Sequence, residues 1–318
     1  MEARGATFVV DLTGPDKANP PRPPVTIELT QGNDHGARVR RSLPVTIDLV
    51  RGEKRVFGPP VMIDLTSNRN GLKLDRDEAL ELMEEAYAEM DDDDRAMYQI
   101  PPRQHVMKLD LSDYIRRTTT DEMRKLLTYG EIDVESFSVK LIPLLQLTKY
   151  DVFYDLGCGG GKAVLQVALE TPCCVSKGME LLPGRVRVGA LALERLRAKC
   201  PHVFANKTVV IVEGDILRPP QVANLVDGTV VFINDFVFPE SLMHAIMDKL
   251  RRMPNLKRLV VTKELCPRHR SNNCFRNKRA CSIFAHPPDV VDVSKTWGGN
   301  KLQIFVYKRV VTADVDLT

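Results

Sequence analysis

The sequence predicts an α/β protein: a Rossmann-like parallel sheet closed by an antiparallel hairpin, with a helical N-terminal cover and a disordered N-terminal tail. Three observations carry this. From Val152 onward, short apolar runs alternate with segments of helical period, the order that builds a parallel sheet with helices on both faces. The first run ends in Asp155-Leu156-Gly157-Cys158-Gly159-Gly160-Gly161, where the lack of Cβ atoms lets a strand-to-helix turn approach a ligand with its backbone. Residues 1–70 hold eight prolines and no sustained helical period, the pattern of a disordered segment.

The predicted domains are a tail over 1–70, a helical cover over 71–148, a catalytic domain over 149–310 and a short C-terminal tail over 311–318. Inside the first tail one pattern recurs: Val9 to Thr13, Val25 to Thr30, Val45 to Val50 and Val61 to Thr66 are near copies, and Val315-Asp316-Leu317-Thr318 closes the chain. In the cover, Asp75 is placed to cap a helix whose apolar stripe is Leu80, Met83, Tyr87 and Met90, with an acidic opposite side. Thr119 and Glu122 have capping-box spacing ahead of Met123, Leu126 and Leu127. Tyr129-Gly130-Glu131 then reads as a loop, and Phe137 to Leu147 as an apolar helix.

Predicted strands follow at Val152 to Leu156, Val175 to Glu180, Thr208 to Val212, Val230 to Asn234 and Arg258 to Thr262. The helices between them are Lys162 to Glu170, Pro183 to Lys199 and Pro239 to Met253. A hairpin of Val290 to Val293 and Leu302 to Val310, turning through Trp297-Gly298-Gly299-Asn300, ends the domain.

At 318 residues and 43% apolar content the chain is long enough for a sizeable core. No secretory signal pattern and no run of eighteen apolar residues is present, which predicts a soluble, non-secreted protein without a membrane partner. Seven cysteines at irregular spacing point to a reducing compartment. The net charge of +3 hides an asymmetry: residues 71–110 net −7, whereas residues 249–309 net +12. The C-terminal third should therefore attract polyanions, nucleic acid or a nucleoprotein. Cys266, His269, Cys274 and Cys281 match no standard zinc finger, and no metal is assigned to them.

Position 162 is Lys, so the dinucleotide fingerprint G-x-G-x-x-G fails here. Asp155, two residues before the first glycine, suits the cationic methionine end of S-adenosylmethionine better than a pyrophosphate. Gly157, Gly159, Gly161 and Lys162 form the turn. Glu180 closes the next strand, where a carboxylate accepts ribose hydroxyls, and Asp215 is placed for the adenine amine with Ile216 against the ring. Solvated turn carboxylates are the plainer reading of either acid alone. Asn234-Asp235-Phe236-Val237-Phe238 puts a polar group and two aromatics at the end of the fourth strand. Lysine has an ordinary pKa of about 10.4, and an apolar aromatic channel favours its neutral, nucleophilic form. Phe236 and Phe238 fit such a channel, or else simple core packing.

Between about Asp121 and Tyr307 these motifs resemble the disruptor of telomeric silencing family, the non-SET histone H3 lysine methyltransferases. The resemblance rests on Tyr129-Gly130-Glu131, the glycine turn from Asp155 to Gly161, Glu180, Gly214-Asp215, Asn234-x-Phe236-x-Phe238 and Trp297. It implies a class I methyltransferase Rossmann-like sheet, S-adenosylmethionine as donor, and a lysine in the globular core of histone H3 on nucleosomes as acceptor, hence a nuclear protein. By resemblance, Tyr129 and Glu131 fold over the methionine end of the donor, Glu180 and Asp215 hold ribose and adenine, Asn234, Phe236 and Phe238 face the lysine channel, and Trp297 stands near its mouth. The chain departs from the family at Lys162, where a Gln is usual, at Asp235, where a second Asn is usual, and at Ile304 or Phe305, where a channel tyrosine is usual. Its compact organisation is most like that of the kinetoplastid members.

The basic side chains Arg268, Arg270, Arg276, Lys278 and Arg279 suit nucleosomal DNA or an acidic histone surface. The tail repeats resemble SUMO-interacting motifs, which bind by strand addition. Two other functions fit parts of the pattern: a nucleic-acid amine methyltransferase, and a SUMO- or chromatin-binding adaptor with an inactive methyltransferase fold.

Overall fold

The computed structural model describes residues 72–88, 96–269, 280 and 283–310. The tail repeats, Met90, the acidic run Asp91 to Asp94 and residues 311–318 lie outside the described residues. Helix α1 (Arg76–Ala88) begins as expected, with the Glu78 amide donating to Asp75 Oδ1 at 3.0 Å. Its buried face is Ala79, Met83, Ala86 and Tyr87. Leu80 sits at the margin of that face and is only half-buried.

A single turn at Ala96–Tyr98 leads to α2 (Arg103–Val106), α3 (Asp113–Arg117) and α4 (Thr120–Leu126). The capping box of α4 is complete: Thr119 N donates to Glu122 at 2.7 Å and Glu122 N donates to Thr119 Oγ1 at 3.3 Å. Helices α2 and α3 are about one turn long, too short for a hydrophobic period to announce them. Helix α5 replaces the expected Phe137 to Leu147 helix with Val134–Ser136, a π turn Phe137–Leu141, and Ile142–Leu145. Asp133 supplies its cap, accepting from the Ser136 amide at 2.8 Å, and Gln146 ends it in the left-handed region at φ 48°. Pro143 has no N–H and crowds the preceding turn, so the wider turn ahead of it relieves a conflict the apolar pattern does not reveal.

The domain continues as β1 (Val152–Leu156), α6 (Lys162–Glu170), β2 (Val175–Glu180), α7 (Pro183–Lys199), α8 (Pro201–Phe204), β3 (Thr208–Glu213), β4 (Val230–Ile233), α9 (Glu240–Leu250), β5 (Arg258–Val261), β6 (Asp289–Val293) and β7 (Leu302–Lys308). Helix α9 stops at Leu250 rather than Met253. The strands form one seven-stranded sheet ordered β3-β2-β1-β4-β5-β7-β6. The first five are parallel, and β7 enters antiparallel between β5 and β6. The predicted Rossmann-like sheet with a closing hairpin is thus the fold observed.

The strand order reverses between β1 and β4, since β1 pairs with β2 on one side and β4 on the other. Such a switch point opens a crevice at the carboxyl ends of the strands. The central strands are buried on both faces, with Phe153, Tyr154, Leu156, Val230, Val231 and Val260 all fully enclosed, as parallel strands under two helical layers must be. The tight turn expected at Trp297 to Asn300 is instead the outer part of a longer connection between Val293 and Leu302. Its hydrogen bonds run sideways into the cover: Asp133 N donates to Ser294 O at 3.0 Å, Thr296 N donates to Glu131 O at 3.0 Å, and Lys295 bridges Ile132.

Candidate active site

At the end of β1 the chain takes positive φ at Gly157 (86°), Gly159 (54°) and Gly161 (80°), a path that L side chains rarely follow. A Cβ at Gly159 would lie 2.5 Å from the Tyr129 ring, and one at Gly161 would lie 2.4 Å from Ile211 Cδ1. These glycines do different work. Gly157 and Gly159 face a cavity of about 310 Å³ in the crevice at the switch point, whereas Gly161 is not among its lining residues and instead packs the start of α6 against β3. Gly161, expected in the ligand-facing turn, packs closely against Ile211. The other residues expected at the site line the cavity: Tyr129, Glu131, Asp155, Lys162, Glu180, Asp215, Ile216, Asn234, Phe236, Phe238 and Trp297.

The carboxylates at the strand ends are buried, and each has a distinct role. Asp155 is 3% exposed and its Oδ1 has no hydrogen-bond partner. Burial pushes its pKa well above the usual carboxylate range, and the nearby Glu180 and Glu131 push it further. Glu180 accepts from Gly159 N through Oε2 and from Leu182 N through Oε1, both at 3.0 Å, with Arg185 3.6 Å from Oε1. Asp215 accepts from Ser112 N at 2.9 Å, Ser112 Oγ at 2.7 Å and Leu217 N at 2.8 Å, so it anchors the cap of α3 over the crevice. Both oxygens of Glu180, but only Oδ1 of Asp215, keep lone-pair capacity for a further donor.

Asn234 donates to Gly130 O at 2.9 Å, and its Oδ1 is buried without a partner. The Tyr129 hydroxyl donates to Glu131 and accepts from Gly160 N at 3.3 Å. Burial and the Glu131 carboxylate hold the Tyr129 pKa well above the ordinary phenol range. Lys162, which stands in place of the usual Gln, pairs with Glu131 at 2.6 Å. The loop of Tyr129, Gly130 and Glu131 is thereby tied to the glycine turn by an ion pair and to β4 by an amide.

Phe236 is 44% exposed and meets Trp297 edge to face at 5.8 Å, so it is an opening and not core. Phe238 reaches inward, 3.5 Å from where a Cβ on Gly157 would stand. Neither Ile304 nor Phe305 lines the cavity. Asp235 is buried and accepts from Thr262 N at 2.7 Å and Lys263 N at 3.1 Å, which fixes the end of β5.

Two site residues escape the sequence pattern. Ser112 is an N-cap whose partner is far along the chain. Arg185 lies buried on α7, donating to Met97 O at 3.1 Å and Leu127 O at 2.6 Å beneath the Tyr129 ring. Its neighbour Arg187 shares its type and region, so nothing in the sequence singled it out.

Arg268 is exposed, while Arg270, Arg276, Lys278, Arg279, Cys274 and Cys281 lie outside the described residues. His269 stacks on His286 at 3.9 Å, and no group of three or more metal-ligating side chains occurs among the described residues.

The unpaired carboxylate oxygen of Asp155 suits a cationic group, and Glu180 and Asp215 stand at successive strand ends along the same crevice. With this strand order and glycine turn, they define a domain of the class I methyltransferase type. Residues 121–306 match the family model described as histone methylation protein DOT1, and the chain belongs to that family.

Among curated relatives, a Drosophila melanogaster protein is 27% identical over 141 residues, covering 44% of this chain and 8% of its own length. One from Caenorhabditis elegans is 28% identical over 57% of this chain and 19% of its own. One from Cryptococcus neoformans var. neoformans serotype D is 31% identical over 49% of this chain and 24% of its own. All three are named histone-lysine N-methyltransferase, H3 lysine-79 specific. The matches span less than a quarter of each relative, and these animal and fungal proteins do not bear on the expected likeness to kinetoplastid members.

Proposed function

We propose that this chain transfers the methyl group of S-adenosylmethionine to a lysine in the globular core of histone H3 on nucleosomes. One observation carries the reading: two buried side-chain oxygens without partners, on Asp155 and Asn234, belong to residues lining one cavity, which a cationic donor would satisfy. When bound, the donor supplies an electrophilic methyl group on a sulfonium. Asp155 would hold the methionine ammonium, Glu180 would accept from the ribose hydroxyls, Asp215 would accept from the adenine amine, and Ile216 would cover the ring. Asn234 ties the Tyr129-Gly130-Glu131 loop to the end of β4 through Gly130, and its unpartnered oxygen would be available to the reacting end.

Phe236, Phe238 and Trp297 shape the lysine approach. Phe236 and Trp297 can receive the ammonium at the exposed mouth, whereas farther in, beside Phe238, desolvation disfavours it, so the acceptor gives its proton to water on entry and reacts as the amine. The names of the relatives support histone H3 as the substrate class and the nucleus as the location. The exposed Arg268, with Arg270, Arg276, Lys278 and Arg279, would meet nucleosomal DNA or an acidic histone surface, and the tail repeats would meet SUMO. Incubation with methyl-labelled donor and either nucleosomes, free histones or DNA, followed by mapping of the label, tests the reading. Label on an H3 core lysine is expected; label confined to DNA, or none on nucleosomes, would overturn it.

A further inference from the structure

Lys295 occupies a position that the proposed reaction leaves unexplained. Its Nζ lies 5.4 Å from the centroid of the Phe236 ring and 5.3 Å from that of Trp297. The two rings meet edge to face at 61° with centroids 5.8 Å apart, and both come within cation–π reach of the one ammonium. Among the described residues Lys295 has no carboxylate partner, and the ring quadrupoles are what hold its charge. The surrounding backbone is fixed on both sides, by the Asp133 amide on Ser294 O and by the Thr296 amide on Glu131 O, each at 3.0 Å. Lys295 itself bridges Ile132.

We propose that Lys295 is the resident cation of the aromatic mouth, an internal competitor that an incoming alkylammonium must displace. The inference rests on the reading of Phe236 and Trp297 as the lysine entrance. Two ammonium groups cannot share one pair of ring faces, because like charges so close repel. Lys295 therefore weakens the hold of the mouth on simple cations and reserves entry for a lysine delivered by a larger docked partner.

Trp297 is the single tryptophan of the chain, so its fluorescence reports on this mouth without donor or turnover. The full chain is titrated with n-butylammonium chloride at constant ionic strength, as wild type, Lys295→Ala, Lys295→Arg and Phe236→Ala. Removal of the competitor in Lys295→Ala is expected to tighten the ammonium about three- to tenfold, the scale of one or two exposed cation–π contacts. Lys295→Arg keeps a resident cation and should bind as weakly as wild type, and Phe236→Ala should lose the saturable response. Equal affinity in wild type and Lys295→Ala, with loss in Phe236→Ala, overturns the competitor and leaves the aromatic mouth standing. No saturable response in wild type or Lys295→Ala overturns the competitor and the entrance together, whereas the methyl-label assay judges the donor reading separately.

Discussion

Glu180 illustrates how much one side chain carries. Its two oxygens satisfy the amides of Gly159 and Leu182, so Glu180→Ala both removes the proposed ribose acceptor and strands two buried donors, at about 1–3 kcal/mol each. Saturable S-adenosylmethionine binding by calorimetry is expected in wild type and absent in Glu180→Ala and in Gly161→Arg. The second variant acts indirectly, by forcing a side chain at φ 80° into Ile211; donor affinity within about threefold of wild type in both would refute these roles. Asp155 gives a pH signature. Its folded pKa is raised by burial and by Glu180 and Glu131, so the folded chain without donor holds a proton more tightly than the unfolded chain. Stability from this group therefore grows as pH falls through the folded pKa toward about 4, and is lost as pH rises. Asp155→Asn should melt above wild type at neutral pH without donor, with the gap closing near pH 4; a lower neutral melting point, once circular dichroism shows native secondary structure, would contradict this. The glycines, Asp155 and Glu180 were legible because they occur together at the ends of neighbouring strands, whereas Ser112 and Arg185 act through partners remote in sequence.

Among the elements, every strand followed to within two residues from alternation of apolar runs, because parallel strands buried on both faces leave an unmixed signal, whereas the order of the strands in the sheet did not. Helix α5 did not, since Pro143 reshapes a run whose composition reads as ordinary helix. The connection carrying Lys295 and Trp297 was misread as a turn because its hydrogen bonds go to residues 131–133, which no local pattern shows. The start of β1 is fixed by Asp151, which accepts from Thr148 N at 2.8 Å, Thr229 Oγ1 at 2.9 Å and Lys257 Nζ at 2.7 Å, joining β1 to the approaches of β4 and β5. Burial raises its pKa, but Lys257, Thr148 and Thr229 more than offset this and hold it at about 2. The stability it contributes is full above about pH 4 and lost as pH falls through about 2. Asp151→Asn should lower the urea midpoint at pH 7 by the equivalent of about 1–3 kcal/mol, and that deficit should shrink between pH 4 and 2. A deficit independent of pH would show that packing, not the charge, ties these strands.

Across the whole molecule the charge is segregated, with the cover segment 71–110 at −7 and residues 249–309 at +12. The cavity itself gains little from such a surplus, because its lining residues are mostly neutral or acidic. Its use lies outside the cavity, where a basic surface would concentrate a polyanionic substrate and hold the aromatic mouth against one lysine among many. The sequence made this surplus visible but not its placement, since only Arg268 of the central basic run is among the described residues. If the run docks on nucleosomal DNA, binding must release counterions, and affinity must fall linearly in logarithm with salt, by about 0.9 for each phosphate neutralised. Arg268→Glu combined with Arg270→Glu should then weaken nucleosome binding and flatten that slope by about one unit for each phosphate no longer neutralised, while donor affinity stays at the wild-type value because Arg268 does not line the cavity. Binding to wild-type and variant protein is measured on nucleosomes and on free DNA of the same length from about 50 to 200 mM salt, the range over which several phosphate–cation pairs change affinity by about 10³ or more. A flattened slope on both substrates assigns the run to phosphate. Weaker nucleosome binding with unchanged binding to free DNA assigns it to an acidic histone surface, and an unchanged slope and affinity on both would remove the run from substrate docking altogether.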